Sequence, residues 1–219
     1  MAPFSAIDLV DLFRVVAARL AEARGELAAL DGAIGDADHG SAMAEGFAAV
    51  VRATQQAARA GAPAAELFPV AARSFLNAVG ATTGPLYASA FLRAGQAFAG
   101  LAAIPPERLA ELVAAFSAGI AERGQARLGD KTMLDAWAPA ARAAAAMAAD
   151  PAAAMAAALR AAEEGRDATR AMVASKGRAA RLGERSLGHL DPGAASAVII
   201  LAALHEGVLA RLARSGAAG

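Results

Sequence analysis

The feature that most constrains this chain is an alanine-dominated sequence cut by proline and glycine into segments of similar length. β-branched residues are few, and arginines and glutamates recur three or four places apart, the spacing at which they face one another on a helix. An all-α fold is therefore expected. Ser5 with Asp8 forms a capping-box-like start for a first helix to about Leu30, and the Gly/Asp-rich segment through Gly40 ends it. A second helix is expected over 41–60; Gly61 and Pro63 break it, and a third runs to about Val79. Gly84-Pro85 opens a fourth and Pro105-Pro106 a fifth. Asp130 stands where it would cap a sixth from Lys131 to about Ala148, Asp150-Pro151 starts a seventh, and Asp191-Pro192 starts a last helix reaching about Arg214. Residues 213–219 read as a frayed tail. Eight helices with mostly short connections predict an antiparallel up-and-down bundle or closed barrel, one domain over residues 1–219.

Composition narrows the partners. At 219 residues and 57% hydrophobic, the chain has ample material for a core, which excludes disorder. A formal charge of zero and a pI near 6.8 argue against nucleic acid, so any polyanion must be met by local charge. Without cysteine there is no disulfide framework, thiolate zinc site or cysteine nucleophile, which suits a cytoplasmic chain. Asp8 and Asp11 sit where a signal peptide would need a basic start and an apolar run. The most apolar window, 194–204, is too short to span a bilayer and reads as a buried helix, so a soluble protein with no membrane partner is expected.

Chemistry concentrates in four connections. In LDGAIGDADHG (30–40), Asp31, Asp36 and Asp38 are hard oxygen donors, and Gly32, Gly35 and Gly40 let the backbone turn them toward one point. The spacing lacks the terminal glutamate of an EF-hand, which disfavours calcium sensing. Mg2+ usually takes one or two carboxylates plus phosphate oxygens, so three acids suggest two ions shared with a phosphorylated ligand. The bland alternative has Asp36 or Asp38 capping the next helix and Asp31 in water. Segment 78–91 offers Thr82 and Thr83 before a proline-opened helix, an anion cradle or an ordinary turn. GQARLGDKTM (124–133) misses a P-loop by one residue, with Asp130 between glycine and lysine and no strand ahead of it; its plain reading is a helix capped by Asp130 with Lys131 in water. The connection 174–193 is basic, with Lys176, Arg178, Arg181 and Arg185, and is longer than a bundle turn needs. His39 and His189 fall in these loops, within reach of a ligand, whereas His205 reads as structural. Loops separated by an even number of helices emerge at the same end of an up-and-down bundle, so all four gather at one rim.

IGDADHG (34–40), the glycine/threonine run through GPLY (80–87), GDKTMLDA (129–136) and KGRAARLGERSLGHLDPGA (176–194) together resemble the signatures of the dihydroxyacetone kinase L-subunit family, DhaL. The resemblance spans most of the chain, in order. It implies an eight-helix barrel holding ADP or ATP at one rim through two Mg2+ ions, with Asp31, Asp36 and Asp38 as metal ligands. By the same resemblance His39, Gly40, Ser41 and Ala42 lie at the nucleotide phosphates and Thr82 and Thr83 stand where the family often has Ala-Ser. Gly124, Thr132 and Met133 resemble the family's nucleotide-contacting positions, which implies Met133 on the adenine, and Asp191, Pro192 and Gly193 complete the match. Arg178 is expected to be the catalytic residue that steadies transferred phosphate. Family chemistry is phosphoryl transfer, which needs charge neutralisation and alignment rather than covalent groups from the protein. In phosphotransferase-system versions a phosphohistidine on an M subunit supplies the phosphoryl group and dihydroxyacetone on a K subunit receives it. ATP-dependent relatives usually fuse a similar domain to the K domain, and the length of this chain is that of an unfused subunit. The alternatives are an ATP-using ketose kinase subunit and a nucleotide sensor that binds a transcription regulator.

Overall fold

The computed structural model describes residues 2–217 and follows the expected punctuation, with one break that no proline announces. Helix α1 spans Ala6–Glu22. Its capping box is complete: Ser5 Oγ accepts from the Asp8 amide at 3.3 Å and Asp8 Oδ2 accepts from the Ser5 amide at 2.9 Å. At Ala23 the chain turns, and α2 covers Arg24–Ile34, so the expected first helix is two. The turn lets α2 lean on the start of α3 (His39–Arg59), where a side chain on Gly40 would collide with the Arg24 carbonyl. The remaining helices are α4 (Leu67–Ala78), α5 (Thr83–Ala97), α6 (Leu109–Gly124), α7 (Leu134–Ala146), α8 (Pro151–Ala168) and α9 (Pro192–Ala217). Helix α7 starts three residues later than expected because Lys131 is left-handed at φ 58°. Helix α9 continues past Arg214 to Ala217, so residues 213–217 are helical rather than frayed, with Arg214 in the last turn where a cation favours the carbonyl end. Residues 218–219 of the expected tail lie outside the described residues.

Each wall packs on the next in chain order, from α1 with α3 through α8 with α9, and α9 packs back on α1. With α1 and α2 forming one wall, this is the expected closed ring of eight. Aromatic rings fill its middle: Phe13 lies edge-to-face 5.9 Å from Phe91, Phe91 lies edge-to-face 5.0 Å from Phe116, and Phe116 lies tilted 5.3 Å from a fully buried Trp137. Small residues let the walls approach closely; a Cβ on Gly119 of α6 would stand 2.7 Å from the Ala90 backbone of α5. Among the described residues, α9 is the one helix long and apolar enough to cross a membrane, with a mean hydropathy of 1.7 in its best window. That window is 67% buried inside the ring, which makes α9 a barrel wall.

Candidate functional site

The turn after α2 inverts the bland reading of the aspartates. Asp31 is the buried one, and its Oδ2 accepts from the Asp38 amide at 3.0 Å and the His39 amide at 3.3 Å. It thereby caps α3 from the preceding helix, while Asp36 and Asp38 stay exposed and Asp38 makes no cap bond of its own. Ala37 between them is left-handed at φ 63°, and Gly35 gives the turn room beside the Asp31 carboxylate. One carboxylate oxygen from each of Asp31, Asp36 and Asp38 falls within 4.8 Å of the others. Three hard donors that close fit a divalent cation and repel one another without a positive charge between them. Here that charge is Arg178, whose Nη1 pairs with Asp36 and lies 3.8 Å from Asp38.

All four loops meet in a cleft of about 190 Å³ on one rim. The three aspartates and His39 form one side, and Thr82 and Thr83 stand on another. Gly124, Thr132 and Met133 come from the α6–α7 connection, Arg178 from the long basic one, and Asp191, Pro192 and Gly193 from the start of α9. Three residues expected at the phosphates do not line the cleft. Gly40 is buried against α2, Ser41 Oγ accepts from Arg24 Nε at 3.1 Å, and the Ala42 amide is bonded to Asp38 O at 3.0 Å. Of the basic loop residues Lys176 and Arg178 reach the cleft, whereas Arg181, Arg185 and the His189 side chain do not. Sequence reasoning missed the apolar wall made by Ile34, Leu86 and Ile120. Their spacing within helices is that of any core residue, so no local signal marks them.

The α6–α7 connection also departs from expectation. Asp130 does not cap α7; its carboxylate accepts from the Arg127 amide at 2.8 Å and the Ser175 hydroxyl at 2.6 Å. Asp135, inside the first turn of α7, organises the loop instead, accepting from the Gly129 amide at 2.6 Å and the Thr132 amide at 2.8 Å. Lys131 is not in water. It is 2% exposed, and its Nζ donates to the carbonyls of Thr169 and His189 at 2.6 Å each and of Met172 at 3.2 Å.

The DAK2 domain family matches residues 33–206, a span that contains every residue lining the cleft except Asp31. The chain belongs to the DAK2 domain family. It is 36% identical over 186 residues to the PEP-dependent dihydroxyacetone kinase 1 ADP-binding subunit DhaL of Listeria innocua, covering 85% of this chain and 88% of that protein. Against the PEP-dependent dihydroxyacetone kinase ADP-binding subunit DhaL of Escherichia coli it is 38% identical over 179 residues, 80% of this chain and 84% of that one. The L-erythrulose 1-kinase of Mycolicibacterium smegmatis is 35% identical over 187 residues, 85% of this chain but 33% of the kinase. The crystal structure of the dihydroxyacetone kinase from C. freundii in complex with AMP-PNP and Mg2+ superposes with a TM-score of 0.69 at 27% identity. That match covers 94% of this chain and 35% of the solved one.

Two buried polar groups set the electrostatics of this DAK2-domain cleft. Asp191 caps α9 by accepting from the Ala194 amide at 2.7 Å, and burial pushes its carboxyl up to about 7, with the Asp135 and Asp31 charges adding to the rise. The Ala194 bond and the Lys131 ammonium work against that rise. Burial lowers the pKa of His39, whose Nε2 lies 2.9 Å from Ser196 Oγ. The imidazole is thus part of the wall that ties α3 to α9.

Proposed function

We propose that this DAK2-domain chain is the nucleotide-holding L subunit of a dihydroxyacetone kinase, acting in the cytoplasm and using its whole length as one domain. The observation that carries the reading is the convergence on one cleft of three carboxylates, a basic loop and an apolar wall. A nucleotide needs all three: cations against its phosphates, positive side chains at the transferred group, and a dry surface for its base. Asp31, Asp36 and Asp38 would hold two Mg2+ ions, which neutralise phosphate charge and fix the oxygens when bound. Thr82 and Thr83 donate hydroxyls to phosphate, and Met133, with Leu86 and Ile120, packs on the adenine beside Gly124 and Thr132. Arg178 leaves the acids it pairs with and meets the transferred phosphoryl group, where a guanidinium offers two parallel hydrogen bonds. Asp191, Pro192 and Gly193 set the start of α9 behind it.

In this reading the phosphoryl group comes from a phosphohistidine on an M subunit and goes to dihydroxyacetone on a K subunit, with the nucleotide retained as a cofactor. The curated relatives matched over most of their own length are PEP-dependent or PTS-dependent DhaL subunits, which supports it. The erythrulose kinases, matched over about a third of their length, support a second reading as the nucleotide half of an ATP-dependent ketose kinase. Purified protein carrying stoichiometric ADP and turning over only with K, M and phosphoenolpyruvate meets the first reading; free exchange with ATP and turnover without M meets the second. Asp36→Asn should lose nucleotide in calorimetry while keeping its helical circular-dichroism signal. Retained nucleotide in that variant overturns the metal assignment.

A further inference from the structure

Residues 174–188 form a compact surface loop with tied ends. The Ala174 amide donates to Ser186 Oγ at 2.9 Å, and that hydroxyl donates to Gly183 O at 2.7 Å. The Gly188 amide donates to Arg170 O at 2.8 Å, and Arg170 Nη1 donates to Gly188 O at 3.2 Å. Lys176 and Arg178 ride on this loop into the cleft. The loop has almost nothing of its own to pack: within Ala179–Ser186 only Ser186 is buried. A segment with so few buried contacts opens easily, so apart from the exposed pairing of Arg178 with Asp36 its position over the cleft depends on its stems.

Both stems end on one side chain. Lys131 Nζ has three N–H donors, and all three are taken: by Met172 O before the loop, by His189 O after it, and by Thr169 O in the turn that follows α8. No donor remains for a phosphate, which separates this lysine from the P-loop lysine its neighbourhood resembles. Two aspartates orient it without bonding to it. Asp135 gathers the Gly129 and Thr132 amides on either side, and Asp191 lies close enough to attract the ammonium while Arg170 repels it. An exposed second tie runs alongside, from the Ser175 amide to Asp130 O at 3.2 Å and from its hydroxyl to Asp130 Oδ1 at 2.6 Å. An ammonium buried at 2% exposure is tolerated only where its hydrogen bonds are complete, and removing it strands the Met172 and His189 carbonyls, the two at the loop's stems, while Thr169 O keeps the Met172 amide at 3.1 Å.

We propose that Lys131 is a positioning residue that bolts both stems of the 174–188 loop to the barrel and so delivers Arg178 to the cleft. Its effect on ligand rests on the nucleotide reading above; its effect on the loop does not. The chain has no cysteine, so Lys131→Cys creates a unique thiol. Unfolding, alkylation with 2-bromoethylamine and refolding rebuilds an ammonium of lysine length at that position, and wild-type protein carried through the same cycle is the control. Trypsin should cut Lys131→Cys at Lys176, Arg178, Arg181 and Arg185 about tenfold faster than wild type, with the barrel uncut. Mg-ADP affinity by calorimetry should fall by about tenfold, and aminoethylation should restore both measures while neutral alkylation with iodoacetamide restores neither. Equal cutting in variant and wild type, cutting spread over the whole chain, or failed rescue by the ammonium overturns the proposal. Wild-type protein that does not bind Mg-ADP overturns the functional reading instead, and the proteolysis arm still decides the role of Lys131.

Discussion

Asp31 and Asp191 carry the same carboxyl group as Asp36, yet burial gives them different work. Both turn an oxygen toward the amides of a helix start, and both also face the cleft. For Asp191 the cost of burial falls on the charged form. The folded chain keeps a proton on this carboxyl up to about pH 7, whereas the unfolded chain releases it near 3.8. Stability from this group is therefore complete below 3.8 and is lost as pH rises through about 7. Asp191→Asn keeps an acceptor for the Ala194 amide and has no such loss. In chelator, its unfolding free energy relative to wild type should grow by about 2–3 kcal/mol between pH 5 and pH 8 in urea titrations. A difference that shrinks over that range refutes the assignment. The acidic cluster was legible because three hard donors in one glycine-bearing turn have few other uses. Lys131 was not, because its partners are carbonyls at residues 169, 172 and 189, and backbone acceptors carry no sequence signature.

Helix starts show the same division at the next scale. Ser5, Asp150 and Asp191 act as caps where the sequence placed them, because capping is a contact between neighbours in the chain. Asp150 accepts from the Ala152 amide at 3.0 Å and the Ala153 amide at 3.1 Å, on the rim away from the cleft. Asp150→Ala should lower the unfolding free energy by about 1 kcal/mol while Mg-ADP affinity stays within about twofold of wild type. A large loss of affinity would mean that the two rims are coupled. The start of α7 was misplaced because Asp135 supplies its stabilising carboxylate from inside the first turn and Lys131 takes a left-handed backbone that local rules assign to glycine. The break at Ala23 was invisible for a different reason: it serves the packing of α2 on α3, which no local residue encodes.

For the molecule as a whole, parity is what made the cleft legible. An up-and-down ring alternates its turns between two rims, and splitting the first wall at Ala23 leaves the alternation intact because α2 continues toward the same rim. A ligand that seats four loops from four parts of the chain binds only the folded ring. Mg-ADP at about a hundred times its Kd should add about 2.7 kcal/mol of stability, a rise in Tm of roughly 5–10 °C by scanning calorimetry. EDTA should abolish the rise. ADP giving the same rise without a divalent ion would remove the metal from the account.

Ring closure also fixes where the two ends of the described chain lie. Arg211 near the end of α9 donates to Asp8 Oδ1 at 2.5 Å and to Pro3 O at 3.3 Å, and Phe4 pairs with Ile104 through backbone bonds of 2.7 and 2.8 Å. Both ends therefore sit together on the rim opposite the cleft. Anchored to a bead or a sensor chip by either end, the protein presents the mouth of its cleft to the solution.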